Sequence, residues 1–168
     1  MKKFVLILFM VFLIACGKTE NNTESGNSTE DSRIEISNML DQWHKAASEA
    51  DYNGYFELMA AESVYIGTDA KENWTKKEFM KWSKPYFDRG KAWNFSTLKR
   101  NIYTEDIGKI AWFDELLETQ MGIARGSGIL IREGNSWKIK HYVLSLTIPN
   151  EKVDEVTVLK EMEREIIK

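Results

Sequence analysis

Glu115 and His141 are the side chains whose types and placement could do acid–base chemistry. Around Glu115, the apolar residues Ala111, Phe113 and Leu117 recur at every second position, the period of a strand with one buried face. Gly126, Gly128 and Leu130 share that face in the next segment, and Ile139, His141 and Val143 in the one after it. A hairpin centred near Met121 and Gly122 sets Glu115 opposite Gly128, and Glu118 opposite Arg125. A second, centred near Gly134 and Asn135, sets Gly128 opposite His141, and Leu130 opposite Ile139. Glu115 and His141 then lie in one row of a mostly apolar, helix-facing surface, with Gly128 leaving space between them. A carboxylate near an imidazole in such surroundings shifts both pKa values and suits general acid–base work. The same pair fits a ligand contact without chemistry, or a structural hydrogen bond closing the core. Everything here depends on register, because a slip of one residue sends both side chains to the opposite face.

Other polar candidates are weaker. Glu118 and Arg125 face each other on the outer surface as a cross-strand ion pair of modest value, with Arg125 a lesser candidate for gripping an anion. Asp114 points away from the helix-facing surface, towards a dimer contact. His44 follows Trp43 on a helix and reads as a flanking residue. Two histidines are the wrong number and spacing for a zinc site. No phosphate loop, HExxH or serine-elbow motif is present. No metal and no cofactor are therefore expected.

Helices must precede these strands. Ser32 and Glu35 form a capping-box pattern, after which Ile36, Met39, Leu40, Trp43, Ala46 and Ala47 recur at helical spacing. Asp51 caps a second, shorter helix with Tyr55, Phe56, Leu58 and Met59 on its apolar side. Residues 63–66 form a short strand ended by Gly67. Thr75 and Glu78 cap a third helix carrying Phe79, Trp82, Tyr86 and Phe87, kinked by Pro85 and ended by Gly90. Residues 93–103, 110–120, 123–132 and 137–147 then read as four long strands, with turns at Asp106 and Gly108, at Gly122, and at Gly134 and Asn135. Pro149 stops the last strand. Val153, Val156, Leu159, Met162 and Ile166 suggest a final amphipathic helix. Helices first and an antiparallel sheet after them make an α+β fold.

The chain has 168 residues, a one-domain length. Met1, Lys2 and Lys3 form a basic head, and an unbroken apolar run follows from Phe4 to Ala15. As a helix that run would span about 18 Å, short of the roughly 30 Å of a bilayer core. It reads as an export signal and not a permanent span. The run ends in Leu13, Ile14, Ala15 and Cys16, which resembles the lipobox of bacterial lipoproteins. The resemblance implies cleavage before Cys16 and a diacylglycerol, palmitate-type anchor on its thiol. The alternative is a plain signal peptide with an incidental cysteine. Cys16 is the only cysteine, so a lipidated mature chain has no disulfide, thiolate metal site or cysteine nucleophile.

Residues 17–32 contain no apolar side chain and read as a flexible tether reaching about 22 Å. Residues 33–168 are long enough to bury roughly two thirds of the unfolded chain's surface. The chain has 23 basic and 26 acidic residues. Two of the lysines lie in the leader, leaving 21 against 26, a net charge of −5. No basic stripe is visible, so a nucleic-acid partner is excluded.

The segment from Trp43 to Asp51, followed by Tyr55, Phe56, Ala60, Ala61, Glu62, Ser63 and Val64, resembles the opening of a SnoaL-like, nuclear transport factor 2-like domain. Gly90 to Trp93, Ala111 to Leu117, Arg125 to Leu130 and Trp137 to Ile139 continue the resemblance, which covers about residues 34–148. It implies a cone: a curved antiparallel sheet wrapped on N-terminal helices, with a pocket at the open end. The superfamily includes isomerases, dehydratases, cyclases, hydrolases, ligand binders and oligomerisation modules, so fold does not settle function. Its steroid isomerases carry a tyrosine where Trp43 stands here, and an aspartate base where Gly67 stands, with Asp69 two residues later. Both departures argue against that chemistry. The Asp-Arg-Asp arrangement of its epoxide hydrolases is not found.

The expected protein has a signal at residues 1–15, a lipidated Cys16 and tether at 16–32, a SnoaL-like domain at 33–148 and a helical extension at 149–168. It is tethered to a membrane outside the cytoplasm, in a bacterial cell envelope. Its cone pocket binds a small, partly apolar molecule through Trp43, Phe113, Glu115 and His141. Trp74 and Trp82 are further pocket candidates. The alternatives are a lyase or isomerase using Glu115 and His141, and a dimerisation or accessory module. Homodimerisation is a further expectation from the superfamily.

Overall fold

The computed structural model describes residues 23–105 and 108–161. The expected leader, Cys16, the start of the tether, Asp106, Met162 and Ile166 lie outside the described residues. Helix α1 (Thr23–Ser48) leads into α2 (Tyr52–Glu57), β1 (Met59–Ile66), β2 (Asn73–Thr75) and α3 (Lys76–Asp88). Four long strands follow: β3 (Ser96–Thr104), β4 (Ile110–Thr119), β5 (Gly122–Glu133) and β6 (Ser136–Leu146). A short 3-10 turn and α4 (Val153–Glu161) end the described chain. None of the described helices is long and apolar enough to cross a membrane.

The apolar stripe of α1 does what its spacing predicts: Ile36, Met39, Leu40, Trp43, Ala46 and Ala47 are all buried. The helix begins earlier than Ser32, at Thr23. Once a packed helix is nucleated, adding polar residues at its end costs little, and an exposed Glu30–Arg33 pair at 3.5 Å lies on that extension. At the other end, Ala50 takes a left-handed conformation with φ 56°. Its N–H bonds the Ala47 carbonyl at 3.2 Å, and the Asp51 N–H bonds that of Ala46 at 2.8 Å. This Schellman closure reverses the chain and sets Asp51 to cap α2, where its Oδ1 accepts the Gly54 N–H at 2.9 Å. The reciprocal capping box of Thr75 and Glu78 starts α3.

The sheet has six strands in the order β2-β1-β6-β5-β4-β3. The long strands pair antiparallel as expected, but β1 runs parallel to β6, so the sheet is mixed. The β4–β5 turn is centred on Gln120 and Met121, one residue before the expected centre, so Glu115 lies opposite Gly126 and Glu118 opposite Ile123. A partner shift of two keeps every face, and Ala111, Phe113, Glu115 and Leu117 are buried as the alternation requires. The expected Glu118–Arg125 pair is not formed: Arg125 lies opposite Leu116 and 3.5 Å from the outward-facing Asp114.

The β5–β6 hairpin keeps the expected register at Leu130 and Ile139, then slips by one, so that Ile129 faces His141 and Gly128 faces Tyr142. This bulge reverses the alternation of β6. Trp137 and Ile139 point inward before it, Tyr142 and Leu144 after it. His141 therefore lies on the outer face, in a cross-strand row with Ile129, Trp112 and Tyr103.

Candidate functional site

Glu115 is fully buried, yet its partner is not His141. The inward face of β4 carries it towards α1, where His44 occupies the helix turn after Leu40, on the buried side. His44 Nε2 stands 2.8 Å from Glu115 Oε1. On the other oxygen, the Arg100 Nε and Nη2 groups reach Glu115 Oε2 at 2.9 and 2.8 Å. Arg100 comes from β3 directly opposite Glu115. Its Nη1 also donates to the Ser37 carbonyl at 3.0 Å, the Ser37 hydroxyl at 3.1 Å and Asp41 at 2.8 Å. Nη2 also donates to Thr97 Oγ1 at 2.9 Å. The Tyr142 hydroxyl lies 3.5 Å from Glu115 Oε1. One buried carboxylate thus ties α1, β3, β4 and β6 together.

Glycine makes room for this, at Gly126 and not at Gly128. A Cβ on Gly126 would stand 2.3 Å from the Tyr142 hydroxyl and 3.0 Å from Glu115 Oε1. At Gly128 it would meet the Phe113 ring at 2.8 Å. Burial by itself pushes the Glu115 carboxyl up, but the His44 hydrogen bond and charge and the Arg100 guanidinium outweigh it and hold the group below the usual carboxylate value. The Tyr142 phenol is driven well up by burial and by the adjoining Glu115 charge. An ionised carboxylate only accepts hydrogen bonds, so His44 Nε2 carries the proton that points at it. His44 Nδ1 is buried without a hydrogen-bond partner. His44 and Arg100 line a polar groove of about 550 Å³ with Ser37, Asp41, Thr97 and Phe95.

A second concavity is aromatic. Tyr65 from β1, Trp74 from β2, and Phe79, Trp82 and Tyr86 from α3 form its walls with Trp93 and Phe95, around about 180 Å³. The rings lie nearly parallel: Tyr65 on Phe79 at 4.0 Å and 16°, and Trp74 on Trp82 at 4.6 Å and 29°. Helical spacing on α3 supplies Phe79, Trp82 and Tyr86 along one side. Glu72, Thr68 and Gln120 add polar groups. Phe95 lines both this cleft and the polar groove, and stands between them.

The expected ligand contacts divide differently. Trp43 is core, stacked on Tyr55 at 4.8 Å and edge-on to Tyr142 at 4.7 Å. Phe113 is core as well, 3% exposed. Neither ring is among those that wall the cleft. His141 is carried away by the bulge. Trp74 and Trp82 do line the cleft. His44, Arg100, Tyr142 and Glu72 were missed. For His44 the signal was its helical phase with Ile36, Leu40 and Ala47; for Arg100 it was a place one strand across from Glu115. Among the described residues, no group of three or more histidine, cysteine, aspartate or glutamate side chains could hold a metal ion.

Known proteins share this architecture. An NTF2-like protein of unknown function from Pseudomonas putida superposes with a TM-score of 0.63 at 15% identity, over 74% of this chain and 92% of that one. A candidate dehydratase of the NTF2-like family from Streptomyces avermitilis gives 0.61 at 9% identity, over 72% and 99%. The association domain of C. elegans CaMKII gives 0.60 at 17% identity, over 71% and 99%. At these identities the likeness shows the fold alone. No curated protein matches the sequence. A family model for the SnoaL-like domain matches residues 36–149. The match spans most of the chain, from the buried stripe of α1 through the last strand, and the chain belongs to the SnoaL-like domain family.

Proposed function

We propose that this protein is a lipid-anchored binding domain whose aromatic cleft holds a small, partly apolar molecule outside the cytoplasm. The observation that carries the proposal is the cleft itself, walled by seven aromatic side chains. Trp82 is 39% exposed there, although burying such a ring is worth about 1.5–3 kcal/mol. At about 180 Å³ the space is below the roughly 300–1,000 Å³ of drug-sized sites, so the ligand has few non-hydrogen atoms. Native mass spectrometry of the protein purified gently from its own kind of host tests this. A reproducible added mass, lost in Trp82→Ala, supports it; a clean mass at every concentration sinks it. The anchor has its own test: Cys16→Ser should abolish palmitate labelling and release the protein from membranes, and a labelled, membrane-bound Cys16→Ser variant overturns it.

A second reading is favoured by the unpartnered His44 Nδ1. With Glu115 orienting Nε2, Nδ1 has the lone pair of a general base, and the candidate dehydratase of the same fold supports a lyase-type reaction as the class to test. The enzyme reading thus moves from His141 to His44. Turnover of a candidate substrate lost in His44→Gln, with binding kept, supports it; retained turnover refutes it. Homodimerisation through the outer sheet face is also proposed. The exposed row of Tyr103, Trp112 and Ile129 there and the association-domain relative support it.

A further inference from the structure

We propose that the aromatic cleft is selective for a small organic cation, an alkylammonium, held against the Trp74 and Trp82 rings and the carboxylate of Glu72. The inference rests on the binding role proposed above and names the chemical class of its ligand.

The lining contains seven aromatic rings and one charged side chain, which is acidic. Aromatic faces carry negative quadrupole potential and attract cations within about 6 Å of the ring centroid. A single carboxylate in the same concavity gives the space a negative potential that a neutral ligand cannot use. Glu72 is half-buried and held in place. Gly67 ends β1, and a Cβ there would stand 2.1 Å from Glu72 Oε2. The missing side chain therefore lets the carboxylate lie back against the strand end at the edge of the cleft. The Asp69 N–H donates to the same oxygen at 3.2 Å and holds it in place. Glu72 also lies close enough to raise the Tyr65 phenol pKa, second to burial. No lysine, arginine or histidine lines the cleft.

The Arg89 guanidinium stands 4.8 Å from the Tyr86 centroid. It shows that an aromatic face of this rim already attracts a positive group, and it leaves Trp74, Trp82 and Glu72 for the ligand. A sheet of stacked rings alone would favour flat neutral molecules equally; the carboxylate is what distinguishes the two.

The test uses the full chain in an uncharged detergent at low salt, with tryptophan emission as the readout. The probes are choline and its carbon isostere, in which a quaternary carbon replaces the nitrogen. Choline should bind at least about tenfold more tightly than the isostere, and salt should weaken it. Glu72→Gln keeps the oxygen that accepts the Asp69 N–H, so it should leave thermal unfolding unchanged and bring the ratio near one. Trp82→Ala should weaken choline about tenfold. If the isostere binds as well as choline, the cation inference falls while the binding role stands. If neither probe binds and the protein carries no added mass, both fall.

Discussion

Glu115→Gln removes the charge at the centre of the buried network while keeping its shape. Breaking a buried ion pair by deleting one partner costs about 3–5 kcal/mol, because the remaining charge is stranded. Arg100 would not be wholly stranded, since Asp41, Ser37 and Thr97 also hold it. The amide, however, must turn one N–H group towards either Arg100, setting donor against donor, or His44, forcing the tautomer whose Nδ1–H is buried without an acceptor. The expected loss is about 3 kcal/mol at neutral pH, near the lower end of that range. At an m-value of roughly 1.5 kcal/mol per molar, the urea midpoint drops by about 2 M.

Acid provides the second arm. The folded-state pKa of Glu115 lies below its ordinary value of 4.5. Its ionised form therefore contributes stability that is fully present above the unfolded-state pKa and lost as pH falls from there through the folded one. The gap between wild type and variant should be full at neutral pH and narrow below about 4.5. A variant within about 0.5 kcal/mol of wild type at neutral pH, or a gap that does not narrow in acid, would refute the account of Glu115 as the charge that fastens α1 to the sheet.

Gly126→Ala should destabilise by about 1–3 kcal/mol and perturb near-ultraviolet circular dichroism, because its Cβ meets the Tyr142 hydroxyl at 2.3 Å; an unchanged spectrum and midpoint would contradict this. Thr75→Ala removes the reciprocal cap of α3 and should cost about 1 kcal/mol in thermal unfolding, so a melting temperature equal to wild type would count against the cap. Trp112→Asp places a charge in the exposed outer row, where Trp112 is 47% exposed. It should convert dimer to monomer in sedimentation with the fold intact, and a monomeric wild type would remove the proposed interface.

Local patterns carry a long way in this chain. The stripe on α1, the Thr75–Glu78 capping box, the hairpin glycines and the period-two alternation of β4 each act through the nearest few residues, and each is legible without a partner. Gly122 and Gly134 take positive φ at the turns where they were expected, because only a residue without Cβ does so without strain. Glu115 faces inward for the same local reason, whichever residue stands opposite it. The leader pattern and the cysteine that ends it are likewise read from contiguous residues, and the export and lipid anchor proposed from them are tested by the Cys16→Ser labelling.

The partners of Glu115 are not local. They are 71 and 15 residues away, in His44 and Arg100, and nothing in their neighbours' periodicity names the strand or helix they will meet. The bulge before His141 is decided by how β6 fits β1 on one side and β5 on the other. It costs one residue of alternation and exchanges Tyr142 for His141 at the buried position. The separation of core rings from cleft rings has the same origin. Trp43 and Trp82 are chemically alike, and only the closing of the cone over one and not the other leaves the first packed in the core and the second on the wall of the cleft.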